Sequence, residues 1–167
     1  NINGPSLIRV PEWVENPLGR YYLYFAHHKG TYIRLAYADN LQGPWRIHEA
    51  GTLQLEQSHC ISHIASPDVH VDNEAREIRM YYHGPADDGR QVSRVALSKN
   101  GIDFHALPEI HGLSYFRVFR WSGWWYALGM PGIFYRSLNG LSDFKQGPTL
   151  FTEHMRHSAV QIVGHVL

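Results

Sequence analysis

Apolar and aromatic residues come in short runs along this chain. The segments RYYLYFAHH (20–28), TYIRLAYA (31–38), EIRMYYHG (77–84), QVSRVALS (91–98) and WWYALG (124–129) are rich in aromatic and branched side chains. Such residues fit a pleated, half-buried surface. Gly, Pro, Asn and Asp punctuate the runs, as turn residues do between strands. No convincing long amphipathic helix is visible. The pattern predicts an all-β protein.

The turns repeat as well as the strands. YADNLQGPW (37–45), LSKNGIDF (97–104) and RSLNGLSDF (136–144) share one plan. A strand ends in Ala or Ser, and Asn40, Asn100 or Asn139 follows two residues later. An aromatic, Trp45, Phe104 or Phe144, closes the turn. Asn tolerates the left-handed conformation such a bend needs, and Gly101 and Gly140 suit it too. Upstream of each turn the strands come in the same order, so the unit is a four-stranded antiparallel meander. Four strands recurring at this period predict a β-propeller. A β-sandwich is the alternative, but it gives no reason for the repeated turn. The blades fall at about 4–50, 66–109 and 113–151, and a fourth starts at 157–167. The expected inner strands are 5–10, 67–72, 114–120 and 158–163. Three blades and one strand do not close a ring, so further chain or a second copy is expected to complete it.

Charge narrows the range of partners. Fifteen basic residues balance fifteen acidic ones, giving no electrostatic reason to expect nucleic acid or an anionic membrane. No apolar run is long enough to span a bilayer. Cys60 is the single cysteine, so no intrachain disulfide forms. The compartment is not legible. Ten tyrosines, seven phenylalanines and five tryptophans suit sugars, whose flat apolar faces stack on rings, although strands favour aromatics anyway.

The stretches GPSLIRV (4–10), YYLYFAHHKGTYIRLAYADNLQGPW (21–45) and SPDVHVD (66–72) resemble the five-bladed propeller glycoside hydrolases. That superfamily includes arabinanase- and β-xylosidase-like enzymes and invertase- and levansucrase-like ones. RHSAV (156–160) is similar to a later-blade motif whose histidine, here His157, faces the channel. The resemblance implies a carbohydrate ligand in an axial pocket surrounded by three carboxylates, from inner strands of different blades. Asp68 matches the orienting and pKa-tuning position. The first-blade aspartate would fall directly before Pro5, where Gly4 stands. The third-blade glutamate would fall near GLSYF (112–116), and Glu109 is the nearest. No cofactor is expected, and the channel of such a fold leaves room for a structural cation.

The candidate site residues follow. Asp68 is either a pocket carboxylate or an acceptor of backbone N–H groups where the strand begins. His70 shares its strand face, and together they suit a sugar hydroxyl. His27, His28 and His83 end equivalent strands and suggest a shared rim. Tyr115 and Arg117, at the opening of the third inner strand, are candidate sugar contacts. Arg117, Arg120 and Arg136 leave an acidic sugar open, since arginine reads carboxylates and phosphates bidentately. His59, Cys60, His63, Asp68 and His70 are metal-capable but lack the paired spacing of zinc sites. Trp124 and Trp125 should point to opposite faces of one strand. Two functions stay open: a glycosidase, with Asp68 tuning and Glu109 as acid, or a non-catalytic propeller that binds a sugar or a protein.

Overall fold

The computed structural model describes residues 2–164. Three antiparallel sheets follow one another along the chain, each with its strands in sequence order. The first holds β1 (Asn3–Arg9), β2 (Tyr21–Ala26), β3 (Ile33–Ala38) and β4 (Arg46–His48). The second holds β5 (Ala65–Asp72), β6 (Glu77–Pro85), β7 (Gln91–Ser98) and β8 (His105–Ala106). A short fifth strand, β9 (Gly112–Leu113), also pairs with β7. The third sheet holds β10 (Arg117–Trp121), β11 (Trp124–Gly129), β12 (Ile133–Ser137) and β13 (Lys145–Thr149). Among the described residues the one helical element is a 3-10 turn at Leu55–Gln57.

The middle sheet decides the architecture. β6 is buried from Ile78 to Pro85 without interruption. Successive side chains of a strand point to opposite faces, so both faces of this sheet are covered. Val69, Ile78 and Met80 pack with Tyr22, Tyr24 and Leu35 of the first sheet. Tyr81 and Val95 pack with Val118, Trp125 and Ala127 of the third. In a two-sheet sandwich each sheet keeps an outward polar face. A sheet covered by a neighbour on either side is the packing of propeller blades.

The repeated turn is also the joint between blades. Ser98 Oγ accepts from the backbone N–H of Gly101, and Ser137 Oγ from that of Gly140. Asn100 Oδ1 accepts from the N–H groups of Ile102 and Asp103, and Asn139 Oδ1 from those of Leu141 and Ser142. The asparagines therefore serve as side-chain caps. The left-handed conformation belongs to the glycines, at φ 75° for Gly101 and 71° for Gly140. Each glycine carbonyl then accepts from a tyrosine of the preceding blade, Tyr24 at 2.7 Å and Tyr81 at 2.8 Å. Arg79 reinforces the second joint. It donates to Asn139 O, lies 4.5 Å above the Trp125 ring and pairs with Asp72 at 2.9 Å.

Residues 158–163, expected as a fourth inner strand, belong to none of the three sheets. A strand needs a partner for its backbone groups, and among the described residues no outer strand of a fourth blade lies beside this segment. Residues 165–167 of that expected blade lie outside the described residues. The third inner strand starts at Arg117 rather than 114, because Gly112 and Leu113 pair back onto β7.

Replacing Tyr24 or Tyr81 by Phe leaves a buried glycine carbonyl unpaired. Each change is expected to cost about 1–3 kcal/mol, read as a lowered midpoint in urea unfolding. Gly101→Ala is expected to cost more. Its Cβ would lie 2.8 Å from the Tyr24 hydroxyl at a positive φ.

Candidate functional site

Each inner strand opens with the same backbone irregularity. Gly4, Ser66 and Tyr115 are left-handed, at φ 54°, 51° and 65°. Ser66 and Tyr115 hold this conformation despite a Cβ, so the surrounding structure imposes it. The strand pairing slips at this point, between Asn3 and Ser6 and between Ala65 and Asp68. A bulge of this kind re-aims the side chains next to it. The residues just before the three left-handed ones are Asn3, Ala65 and Ser114. All three line one cavity of about 380 Å³ where the blades meet. Their neighbours in its wall include His28 and Lys29 from the β2–β3 turn, His63 from the segment before β5, and His83 from β6.

The three equivalent positions therefore carry Asn, Ala and Ser, and no Asp or Glu lines the cavity. Gly4 itself has no room for a side chain. A Cβ there would sit 2.5 Å from Ser66 Cα and 2.8 Å from Ser66 Cβ. The first-blade carboxylate that the resemblance calls for is thus replaced by a close approach of two backbones.

Asp68 is the first paired residue after the slip in β5. Its Oδ2 receives the Val118 N–H of the next blade at 2.7 Å and meets His70 Nε2 at 2.9 Å. Ser6 holds the equivalent place in β1, and its Oγ receives the Val69 N–H at 2.9 Å. Asp68 is thus the charged version of a repeated link between inner strands. Burial acts to raise its carboxyl, but the adjoining His70, the Arg117 guanidinium and the Val118 N–H together hold it below the ordinary value. It does not line the cavity.

The other candidates divide in two. His28, His83 and Tyr115 line the cavity, and His157 meets the Tyr115 ring edge-on at 4.6 Å. Arg117 reaches the Ser66 and Phe116 carbonyls. His27 is exposed and turned to the His28 carbonyl. His70 faces Tyr81 and a separate cleft with Glu74 and Arg120. Glu109 is exposed on the segment between β8 and β9 and is absent from the cavity wall. Trp125 is core, whereas Trp124 lies on the opposite face under Arg136. The cavity residues that sequence reasoning passed over are Asn3, Lys29, Ala65, Gln91, Ser114, Met130 and Arg156. The signal for Asn3, Ala65 and Ser114 was their shared place just before the aligned inner-strand openings.

Lys29 and Arg156 are the charged groups of the cavity wall, and no Asp or Glu there offsets them. His83 is buried, its Nδ1 has no hydrogen-bond partner, and its ring lies 4.2 Å from that of Tyr115. Burial first, then the positive neighbours His63, Arg117, His157 and Arg156, push its pKa down to about 3. Burial and cationic neighbours lower His63 and His157 too. Among the described residues no three His, Cys, Asp or Glu side chains gather to hold a metal ion. A hard structural cation wants carboxylate and carbonyl oxygens, so this basic wall does not fit one.

No protein-family model matches the chain. It is 36% identical, over 169 aligned residues, to an uncharacterized protein of Acanthamoeba polyphaga mimivirus, covering 89% of this chain and 48% of that one. Among solved structures, an arabinoxylan arabinofuranohydrolase of glycoside hydrolase family 43 from Bacillus subtilis, in complex with cellotetraose, superimposes with a TM-score of 0.65. It shares 16% identity, over 94% of this chain and 39% of that one. An α-L-arabinofuranosidase from Clostridium thermocellum gives 0.59 at 16% identity, over 86% of this chain and 50% of that one. The blades have the fold of the family 43 glycoside hydrolases. The chain spans about half the length of the curated relative it matches, and half or less of these two structures.

Two outcomes follow from this geometry. His83 and the buried His111 have pKa values pushed down to about 3 and about 4, against an ordinary 6.5. Between pH 6.5 and about 4 the unfolded chain therefore binds more protons, and stability falls as pH falls. At about pH 5 each imidazole is expected to cost up to about 2 kcal/mol. Asp68, shifted down instead, keeps its contribution until the pH drops below its ordinary 3.8. Thermal melts at about pH 7 and pH 5 check this, and His83→Gln should flatten the difference. Separately, Asp68→Ala leaves the Val118 N–H unpaired and should cost about 1–3 kcal/mol. Asp68→Asn should cost less, because an amide oxygen still accepts. Chemical denaturation of the two variants separates them.

Proposed function

We propose that this chain forms the sugar-binding face of a glycoside hydrolase-like propeller and that its own residues do not cleave a glycosidic bond. The observation that carries this is the set Asn3, Ala65 and Ser114 at the three equivalent cavity positions, with Gly4 closed against Ser66. Hydrolysis needs an acid for the leaving oxygen and a second carboxylate across the bond. This wall offers neither. What it offers suits recognition. Tyr115 and His157 present ring surface, and Asn3, Gln91 and Ser114 present amide and hydroxyl groups. A few polar groups in a concave, partly aromatic wall are how small-molecule sites orient a ligand. Solved relatives of the fold hold cellotetraose or xylotriose, which supports a sugar as the occupant.

A second reading rests on Asp68. It keeps the place of the tuning carboxylate, and the chain spans only 48% of its mimiviral relative. Further blades would then bring the reacting carboxylates, and the assembled protein would be a hydrolase.

The test is a glycan array on the full-length protein, followed by a reducing-sugar assay on each glycan it selects. Binding without release of reducing ends is expected, with Tyr115→Ala weakening the dissociation constant by about tenfold. Release of reducing ends that Asp68→Asn abolishes would overturn the first reading in favour of the second.

A further inference from the structure

We infer that the cavity takes a sugar bearing an anionic group, a carboxylate or a phosphate, docked among Lys29, His63, His83 and Arg156. This rests on the sugar-binding reading above and names the class of sugar.

Two permanent cations, Lys29 and Arg156, lie in the cavity wall without a counter-charge, beside the neutral imidazoles of His63 and His83. Lys29, His63, His83 and Arg156 come from four separate stretches of the chain and line one cavity that no Asp or Glu lines. Elsewhere among the described residues Arg79, Arg90, Lys99, Arg120 and Lys145 each pair with a carboxylate and other arginines, such as Arg34 and Arg94, do not; what sets the cavity apart is that its two cations share one wall with no Asp or Glu. None of the four cavity groups forms an ion pair among the described residues. Arg156 is instead spent on a neutral partner. Its Nη2 donates to the Tyr115 hydroxyl at 2.8 Å, and its guanidinium lies 5.3 Å from that ring's centroid. Like charges gathered in a concave site focus a positive potential and favour an anionic occupant.

A second, independent observation is His83. Only 4% of it is exposed, yet its Nδ1 has no hydrogen-bond partner. Buried polar groups are ordinarily paired, and an unpaired one asks for an explanation. A ligand oxygen arriving in the cavity this ring lines would meet that need.

Size and wall chemistry separate a sugar from a bare ion. About 380 Å³ exceeds what an inorganic anion fills, and Tyr115 and Met130 add apolar surface that such an ion would not use. The protein as a whole is neutral, with fifteen basic and fifteen acidic residues. A balanced net charge gives no electrostatic drive toward polyanions in general.

Calorimetric titration of the full-length protein tests this with glucose, glucuronate, glucose 6-phosphate and inorganic phosphate. Glucuronate or glucose 6-phosphate is expected to bind at least about tenfold more tightly than glucose, and the tighter of the two identifies the anionic group. Raising the salt should shrink the preference. Lys29→Gln combined with Arg156→Gln should reduce it to within about twofold. Both residues are exposed, so the core stays intact. Equal binding of neutral and acidic sugars would overturn this inference while leaving the sugar-binding reading in place. So would a preference that survives the double substitution. Inorganic phosphate binding as tightly as glucose 6-phosphate would overturn the sugar part of it. If no sugar binds, neutral or acidic, both readings fall together.

Discussion

The structure depends on the hydrogen bonds that each blade extends to the next. Tyr24 and Tyr81 reach across to the glycine carbonyls of the following turns. Ser6 and Asp68 receive the N–H groups of Val69 and Val118 from the following inner strands. The middle blade is a sheet buried on both faces, with a neighbouring blade against each. Apolar burial drives the stacking but has no direction. The directional bonds fix each sheet's rotation against the next. The tyrosine does so near the outer turn, and the serine or aspartate does so at the axis. Asp68 makes this link from a position that the resemblance assigns to a pocket carboxylate.

The same links determine the chemistry available at the axis. The left-handed residues Gly4, Ser66 and Tyr115 open the inner strands at equivalent points. The residues just before them then converge on one cavity. In a glycosidase, convergence of this kind would gather carboxylates. Here it gathers Asn3, Ala65 and Ser114, surrounded by lysine, arginine and imidazole. The backbone has also closed over Gly4, whose Cβ position lies 2.5 Å from Ser66 Cα. No side chain fits at Gly4, because close-packed interiors leave few empty volumes.

The elements were legible because their causes are local. Alternation and β-branched content marked β2, β3, β6, β7 and β11 within a residue or two of their ends. The Ser-x-Asn-Gly turns were legible because one side-chain oxygen caps several nearby N–H groups, a purely short-range device. The pairing of Asp68 with His70 followed from a two-residue spacing on one strand. The repeat of four strands then implied blades.

What the sequence could not decide is anything that depends on how the blades are rotated against each other. Lys29, His63, His83 and Arg156 stand far apart along the chain, and no periodicity links them. They meet because three sheets are wound about one axis. Glu109 stood near the expected place in sequence, yet it falls outside the cavity because β9 turns back to pair with β7. Likewise the fate of Gly4 rests on Ser66, a residue of another blade. The order of residues determined the strands, the turns and the blade plan, since each comes from interactions over a few residues. Only the tertiary structure decided which side chains face the axis, since that comes from contacts between blades.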